Sequence, residues 1–162
     1  MSKLPLAPAD WLPTIVVDTR EQTPLSFSFP TITGTLPTAD YSVAGLEEDF
    51  AVERKSLPDL FGSLTSGRDR FRRELQRLLA YPFRRLLVIG SEQEIALGMS
   101  RARGVNPKAV LHSLYAIEAR GVPVVFASSP SAAAALVERW AYWRAREVLK
   151  TAGTLLPFVS GV

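Results

Sequence analysis

Short apolar, β-branched runs alternate with amphipathic segments along this 162-residue chain, and that alternation sets out the fold. Thr14 to Asp18 (TIVVD) predicts a buried strand that carries Asp18-Thr19-Arg20-Glu21 at its carboxyl end. Pro24 and Pro30 punctuate a loop. Asp40 to Leu46 and Phe50 to Lys55 predict two strands joined around Glu47-Glu48-Asp49 as a hairpin, a register that sets Asp40 opposite Glu53 to Lys55. The three acids at the hairpin tip read as solvated.

Helix signals follow. Ser56-Leu57-Pro58-Asp59 combines a serine cap, a first-turn proline and an acid three residues on, which predicts a helix to about Leu64. Ser66-Gly67-Arg68-Asp69 repeats the spacing, after which Phe71, Leu75, Leu78 and Leu79 share one side of a second helix and Arg70, Arg73 and Arg77 the other. Arg85 to Gly90 predicts a strand, Ser91 to Glu94 a short helix, Asn106-Pro107 a helix ending near Gly121, and Val122 to Ala127 another strand. Ser129-Pro130 opens a long helix through Trp140 and Trp143 to about Lys150. Continuous apolar strands alternating with helices imply an α/β domain: a central, mostly parallel sheet with an antiparallel hairpin and helices on both faces. No internal repeat or long linker divides it, so residues 1–162 are expected to form one domain.

Composition narrows the chemistry. With 47% hydrophobic and 22% charged residues the chain is an ordinary folded one. No stretch reaches the roughly 18 apolar residues of a membrane helix, and the amino terminus lacks a signal-peptide pattern, so a cytoplasmic protein with no membrane partner is expected. There is no cysteine and only one histidine, His112, which excludes thiolate and multi-histidine metal sites and leaves oxygen donors for any metal. His112 lies among Val110, Leu111 and Leu114 and is expected to be a packing residue. The net charge of +3 is uneven: between Arg68 and Arg85 seven arginines face Asp69 and Glu74, a local excess of five positive charges.

On a strand, alternate side chains share a face, so Glu53 and Lys55 point one way and Arg54 the other. With Asp40 delivered by the neighbouring strand, two carboxylates and an ammonium come together. Two carboxylates suit Mg²⁺ or Mn²⁺, which keep several waters, and the lysine can orient a water nucleophile. That combination fits phosphodiester hydrolysis. The Glu-x-Lys triplet by itself is equally the pattern of a solvated cross-strand ion pair.

The wider pattern is more specific. Val16 through Glu21, Leu36 through Asp40-Tyr41, and Val52-Glu53-Arg54-Lys55-Ser56-Leu57-Pro58-Asp59-Leu60 closely resemble, in order and spacing, the nuclease domain of the XPF family of structure-specific endonucleases, within the PD-(D/E)xK-like superfamily. The likeness extends through Arg68-Asp69-Arg70-Phe71 and the strand from Leu86 to Gly90. It implies a restriction-endonuclease-like core and an endonuclease acting on branched or flap DNA in repair or recombination. Asp40 and Glu53 would be metal ligands for Mg²⁺ or Mn²⁺, and Lys55 would position the attacking water. Asp18 and Glu21 would lie at the rim of the site, with Arg54 and Asp59 in support. Arg68 or Arg70 would take the family's arginine position near the scissile phosphate.

Two departures stand out. Ala39 replaces the glycine that usually precedes the motif aspartate, and no segment resembles the tandem helix-hairpin-helix domain with which many members grip DNA. A separate DNA-binding partner would then supply that grip. The family pairs its nuclease domains through late helices, so Trp140, Tyr142 and Trp143 mark a candidate homodimer surface. Nucleoid or nuclear placement would follow from the source of the chain.

Competing readings attach to several residues. Asp59 serves equally as the capping-box acid of its helix. The stripe of Arg70, Arg73 and Arg77, together with Arg68, is either a wet helix face or a phosphate-tracking DNA-binding surface beside the carboxylates. The alternative function is a non-catalytic DNA-binding or dimerisation partner of an active nuclease. Such degenerate subunits typically lose the acids or the lysine, all of which are present here.

Overall fold

The computed structural model describes residues 7–159. The β-branched run forms β1 (Ile15–Asp18), buried along its whole length. Strands β2 (Thr31–Gly34), β3 (Tyr41–Val43), β4 (Phe50–Ser56), β5 (Phe83–Ile89) and β6 (Val124–Ala127) complete one six-stranded sheet in the order β2-β1-β3-β4-β5-β6. β1 and β2, β4 and β5, and β5 and β6 pair in parallel, while β3 is antiparallel to both β1 and β4. The mostly parallel sheet with an antiparallel element is therefore as the sequence predicts.

Helices α1 (Leu57–Leu64), α2 (Arg68–Leu78) and α4 (Pro107–Ala119) pack on one face of the sheet, α5 (Pro130–Val159) on the other. Strand alternation divides the core between them. Ala51, Leu86 and Val88 meet Leu60, Phe71 and Leu114, whereas Phe50, Val52 and Leu87 meet Ala133, Val137 and Ala141. Small alanines on α5 let that helix lie close against β3 to β6.

Several local expectations change. β2 lies in the stretch read as loop: its residues are exposed apart from a half-buried Gly34, so no apolar run marks it. β3 is only three residues long, so the connection to β4 spans residues 44–49 rather than a tight turn of three acids, but Tyr41 faces Val52, which sets Asp40 opposite Glu53, within the expected range. At its tip Asp49 is only partly solvated. Both of its oxygens accept from Arg144 of α5, at 2.7 and 2.6 Å, which clamps the turn to the long helix. Gly67 rather than Ser66 caps α2, without a side-chain bond. After α3 (Glu92–Glu94) the chain runs through irregular turns over Ile95–Met99 and Arg101–Arg103. α5 continues to Val159, past the expected end at Lys150. His112 is exposed rather than packed, edge-on to Tyr115.

Ala39 is the one non-glycine residue with positive φ among the described residues, at 68°. That left-handed conformation turns the chain into Asp40 and β3, which gives a physical reason for the glycine of related sequences. An L-residue held there is strained by about 1–2 kcal/mol. Glycine removes the strain but gains entropy in the unfolded chain, so Ala39→Gly is expected to stabilise the fold by about 0.5–1 kcal/mol. Urea unfolding checks this; a destabilised variant would contradict it.

Candidate active site

β4 carries the site because its alternation sends neighbouring residues to opposite faces of the sheet. Ala51, Glu53 and Lys55 face α1 and α2, and Arg54 faces the other way. Asp40 immediately precedes β3, where its backbone N–H donates to the Val52 carbonyl at 3.1 Å and its Oδ2 accepts from the Arg54 N–H at 2.8 Å. These bonds hold the Asp40 carboxylate against the strand that bears Glu53 and Lys55. Lys55 Nζ lies 3.3 Å from Glu53 Oε1.

Asp40, Glu53, Lys55, Asp59 and Arg70 line one open cleft of about 880 Å³, together with Arg20, Glu21, Arg54 and the turn between α1 and α2. The electrostatics of the acid pair are the distinctive feature. Burial pushes both carboxyls up, Asp40 to about 6 and Glu53 to about 7; Glu21 adds to the rise at Asp40, and the charge of Asp40 adds to that at Glu53. Lys55 offsets only part of this. Two acids in that state are short of positive charge.

The donor set suits a hard divalent cation, which is held through one or two carboxylates, waters and substrate phosphate rather than an all-protein cage. No group of three or more His, Cys, Asp or Glu side chains arranged to hold an ion occurs among the described residues. Asp40 and Glu53 are the residues able to hold such an ion.

The first acidic pair is differently placed. Glu21 lines the cleft, where it meets Arg54 through two bonds of 3.0 and 3.2 Å and accepts from the Tyr41 hydroxyl at 3.3 Å. Asp18 does not line the cleft. Its carboxylate accepts from the Arg20 side chain at 2.7 and 3.1 Å and from the N–H groups of Arg20 and Leu36 at 3.0 and 2.8 Å. Asp18 thus ties the end of β1 to the segment leading into Asp40, while Arg20 reaches the Leu36 carbonyl and lines the cleft.

Ser56 caps α1 by accepting from the Asp59 N–H at 3.2 Å, and exposed Asp59 also lines the cleft. Of the arginines, Arg70 borders the cleft. Arg77 instead donates to Thr38 Oγ1 at 3.1 Å, and exposed Arg68 and Arg73 are not among the lining residues. Sequence reasoning gave no role to Arg20, although it lies within the quoted motif, or to Glu74, counted only as a charge. The signal for Glu74 was its i, i+4 spacing from Arg70.

Burial pushes the Asp18 carboxyl up, but the bonds from Arg20 and Leu36 outweigh it and hold the group below its ordinary value of 3.8. A depressed carboxyl stabilises the fold above its unfolded pKa, and that stabilisation is lost as pH falls through the folded value. Asp18→Asn is therefore expected to cost about 1–3 kcal/mol at neutral pH, with the gap to the unsubstituted protein narrowing below pH 3.8. Urea unfolding across pH 2.5–7, as an order-of-magnitude working range, checks both; a gap independent of pH would contradict the account.

Comparison with known proteins gives the same picture. Two solved structures of XPF from Aeropyrum pernix share this fold. One is 24% identical, with a TM-score of 0.67 over 82% of this chain and 61% of that one. The other, a complex with DNA, is 23% identical, with a TM-score of 0.65 over 83% of this chain and 66% of that one. The chain thus spans less than two thirds of the length of either structure. No curated protein matches it. The ERCC4 domain family matches residues 17–139, a stretch running from β1 into α5 that includes the acid pair, Lys55 and Arg70, and the chain belongs to that family.

Proposed function

We propose that the protein is a Mg²⁺- or Mn²⁺-dependent endonuclease that hydrolyses phosphodiester bonds in DNA, at branched or flap structures. The observation that carries this reading is the half-buried pair Asp40 and Glu53, both held above the ordinary carboxylate range beside Lys55 on a cleft wall. Burial of two acids with one lysine is poor for stability and suited to a site completed by a cation. Membership of the ERCC4 domain family and the likeness to an XPF solved in complex with DNA support the substrate class.

In this reading Asp40 and Glu53 hold the ion, which when bound stabilises charge developing on the phosphoryl oxygens. Lys55, fixed beside Glu53, donates to the attacking water and orients it in line with the phosphorus. Arg70, exposed at the cleft edge, contacts the DNA phosphates. Arg54 and Glu21 brace the cleft beside Asp40 through their two-bond pair. Asp18 acts at one remove, by fixing the approach to Asp40, and Arg68, Arg73 and Arg77 extend the basic surface beyond the cleft. Cleavage leaves a 5′-phosphate.

A homodimer in which α5 contributes to the contact is part of the same proposal. Trp140 turns inward against Phe83, with ring centroids 6.2 Å apart, and Tyr142 donates to the Ala9 carbonyl, which leaves Trp143, 65% exposed, as the aromatic available to a second copy. Light scattering at micromolar concentration is expected to give about twice the 17.8 kDa of one chain, and a monomer would count against this contact.

The central test is a cleavage assay on flap and junction DNA with Mg²⁺ or Mn²⁺ against EDTA. Cutting is expected only with metal. Asp40→Asn and Lys55→Ala are each expected to lower it by about 100-fold or more while DNA binding persists. Full activity in either variant would overturn the assignment, and metal-independent binding without cutting would favour a non-catalytic partner.

A further inference from the structure

Glu74 stands outside the acid pair, and the groups around it give it a role. It projects from α2 toward the face of β4 that bears Lys55, with its Oε2 3.6 Å from Lys55 Nζ and its Oε1 3.6 Å from Arg70 Nε. Oε2 is shut off from solvent and has no hydrogen-bond partner. A carboxylate oxygen in that position is costly unless a cation faces it, and the cation it faces is Lys55.

The two contacts of Glu74 differ in kind. The pair with Arg70 joins a side chain that is 75% exposed and is an ordinary i, i+4 surface pair of little energetic weight. The pair with Lys55 links two elements across the cleft wall, between side chains that are 11% and 21% exposed.

Lys55 is thus held from three sides. Glu53 reaches it from its own strand, Glu74 from the helix, and the Phe71 ring lies 5.1 Å from its ammonium. Lysine carries a long, freely rotating stem, so one contact alone would leave the ammonium a range of positions. With Glu53 as its sole anionic neighbour at contact distance, it would be drawn toward the acid pair and occupy the space a divalent ion needs. We propose that Glu74 is a positioning residue: it keeps the Lys55 ammonium, still 3.3 Å from Glu53, from swinging further into the acid pair and holds it where it can orient water. This inference rests on the nuclease reading for the purpose of that placement, though not for the placement itself.

Two readouts test it. The first needs neither metal nor DNA. Of the four lysines, Lys3, Lys55, Lys108 and Lys150, Lys55 is assigned by comparison with Lys55→Arg in NMR spectra of ¹³C-lysine-labelled protein. In the unsubstituted protein its ε-methylene is expected to show two separate proton shifts, the mark of a fixed side chain. In Glu74→Ala these are expected to merge toward the shift of a free lysine.

The second readout is the single-turnover cleavage rate at saturating DNA with Mg²⁺. It is expected to fall about 10- to 100-fold in Glu74→Ala while the dissociation constant for DNA changes less than about twofold. Glu74→Gln, close in shape but uncharged, guards against misfolding of the alanine variant and is expected to show a smaller loss in both readouts. A Lys55 signal as fixed in both variants as in the unsubstituted protein would overturn the proposal, as would a rate that falls only in step with DNA affinity. If the unsubstituted protein cuts no DNA, the nuclease reading fails, and the NMR result alone decides whether Glu74 positions Lys55.

Discussion

Two half-buried carboxylates on adjacent stretches of the sheet are the constraint on which the rest of this structure turns. Burial raises the proton affinity of both Asp40 and Glu53, the charge of Glu21 adds to it at Asp40, and that of Asp40 adds to it at Glu53. A fold built for stability alone would replace such a pair with apolar side chains. Here the surrounding elements hold it in place. The backbone of β4 grips Asp40 through Val52 and Arg54, the left-handed turn at Ala39 aims it, and Asp18 ties the segment before it to the end of β1.

β4 sorts charge by alternation. On one face Glu53 and Lys55 meet Glu74 and Phe71, and on the other Arg54 closes a two-bond pair with Glu21 braced by Tyr41. The consecutive residues Glu53-Arg54-Lys55 therefore belong to two different networks, both of which reach the cleft. The short β3, antiparallel between two parallel sections, brings Asp40 and Glu53 to adjacent strands. The basic surface is similarly divided: Arg70 borders the cleft while Arg77 is occupied by Thr38.

Much of this was legible in the sequence because periodicity governs it. The buried strands, the helices capped at Ser56 and Asn106, the register that opposes Asp40 to Glu53 and the shared face of Glu53 and Lys55 all follow from spacing of two or about 3.6 residues. What stayed hidden depends on contacts between distant segments. β2 is mostly exposed and carries no apolar run, and it exists because β1 offers it a hydrogen-bonding edge. Asp49 looked like a wet turn residue until Arg144, far along the chain, proved to be its partner. Asp18 sits in the motif yet spends its oxygens on Arg20 and Leu36, and Glu74 gains meaning only when α2 packs over β4. His112 shows the limit of local pattern, since apolar neighbours in sequence did not bury it.

The claim that unites these features is that Asp40 and Glu53 are kept together to hold a divalent ion. The most direct measurement is anomalous diffraction from crystals soaked in Mn²⁺, which locates the ion independently of any cleavage assay. The account predicts one strong anomalous peak at ligand distance from a carboxylate oxygen of each, lost in Asp40→Asn. No peak there, or an ion bound elsewhere while Asp40 and Glu53 remain unliganded, would contradict it.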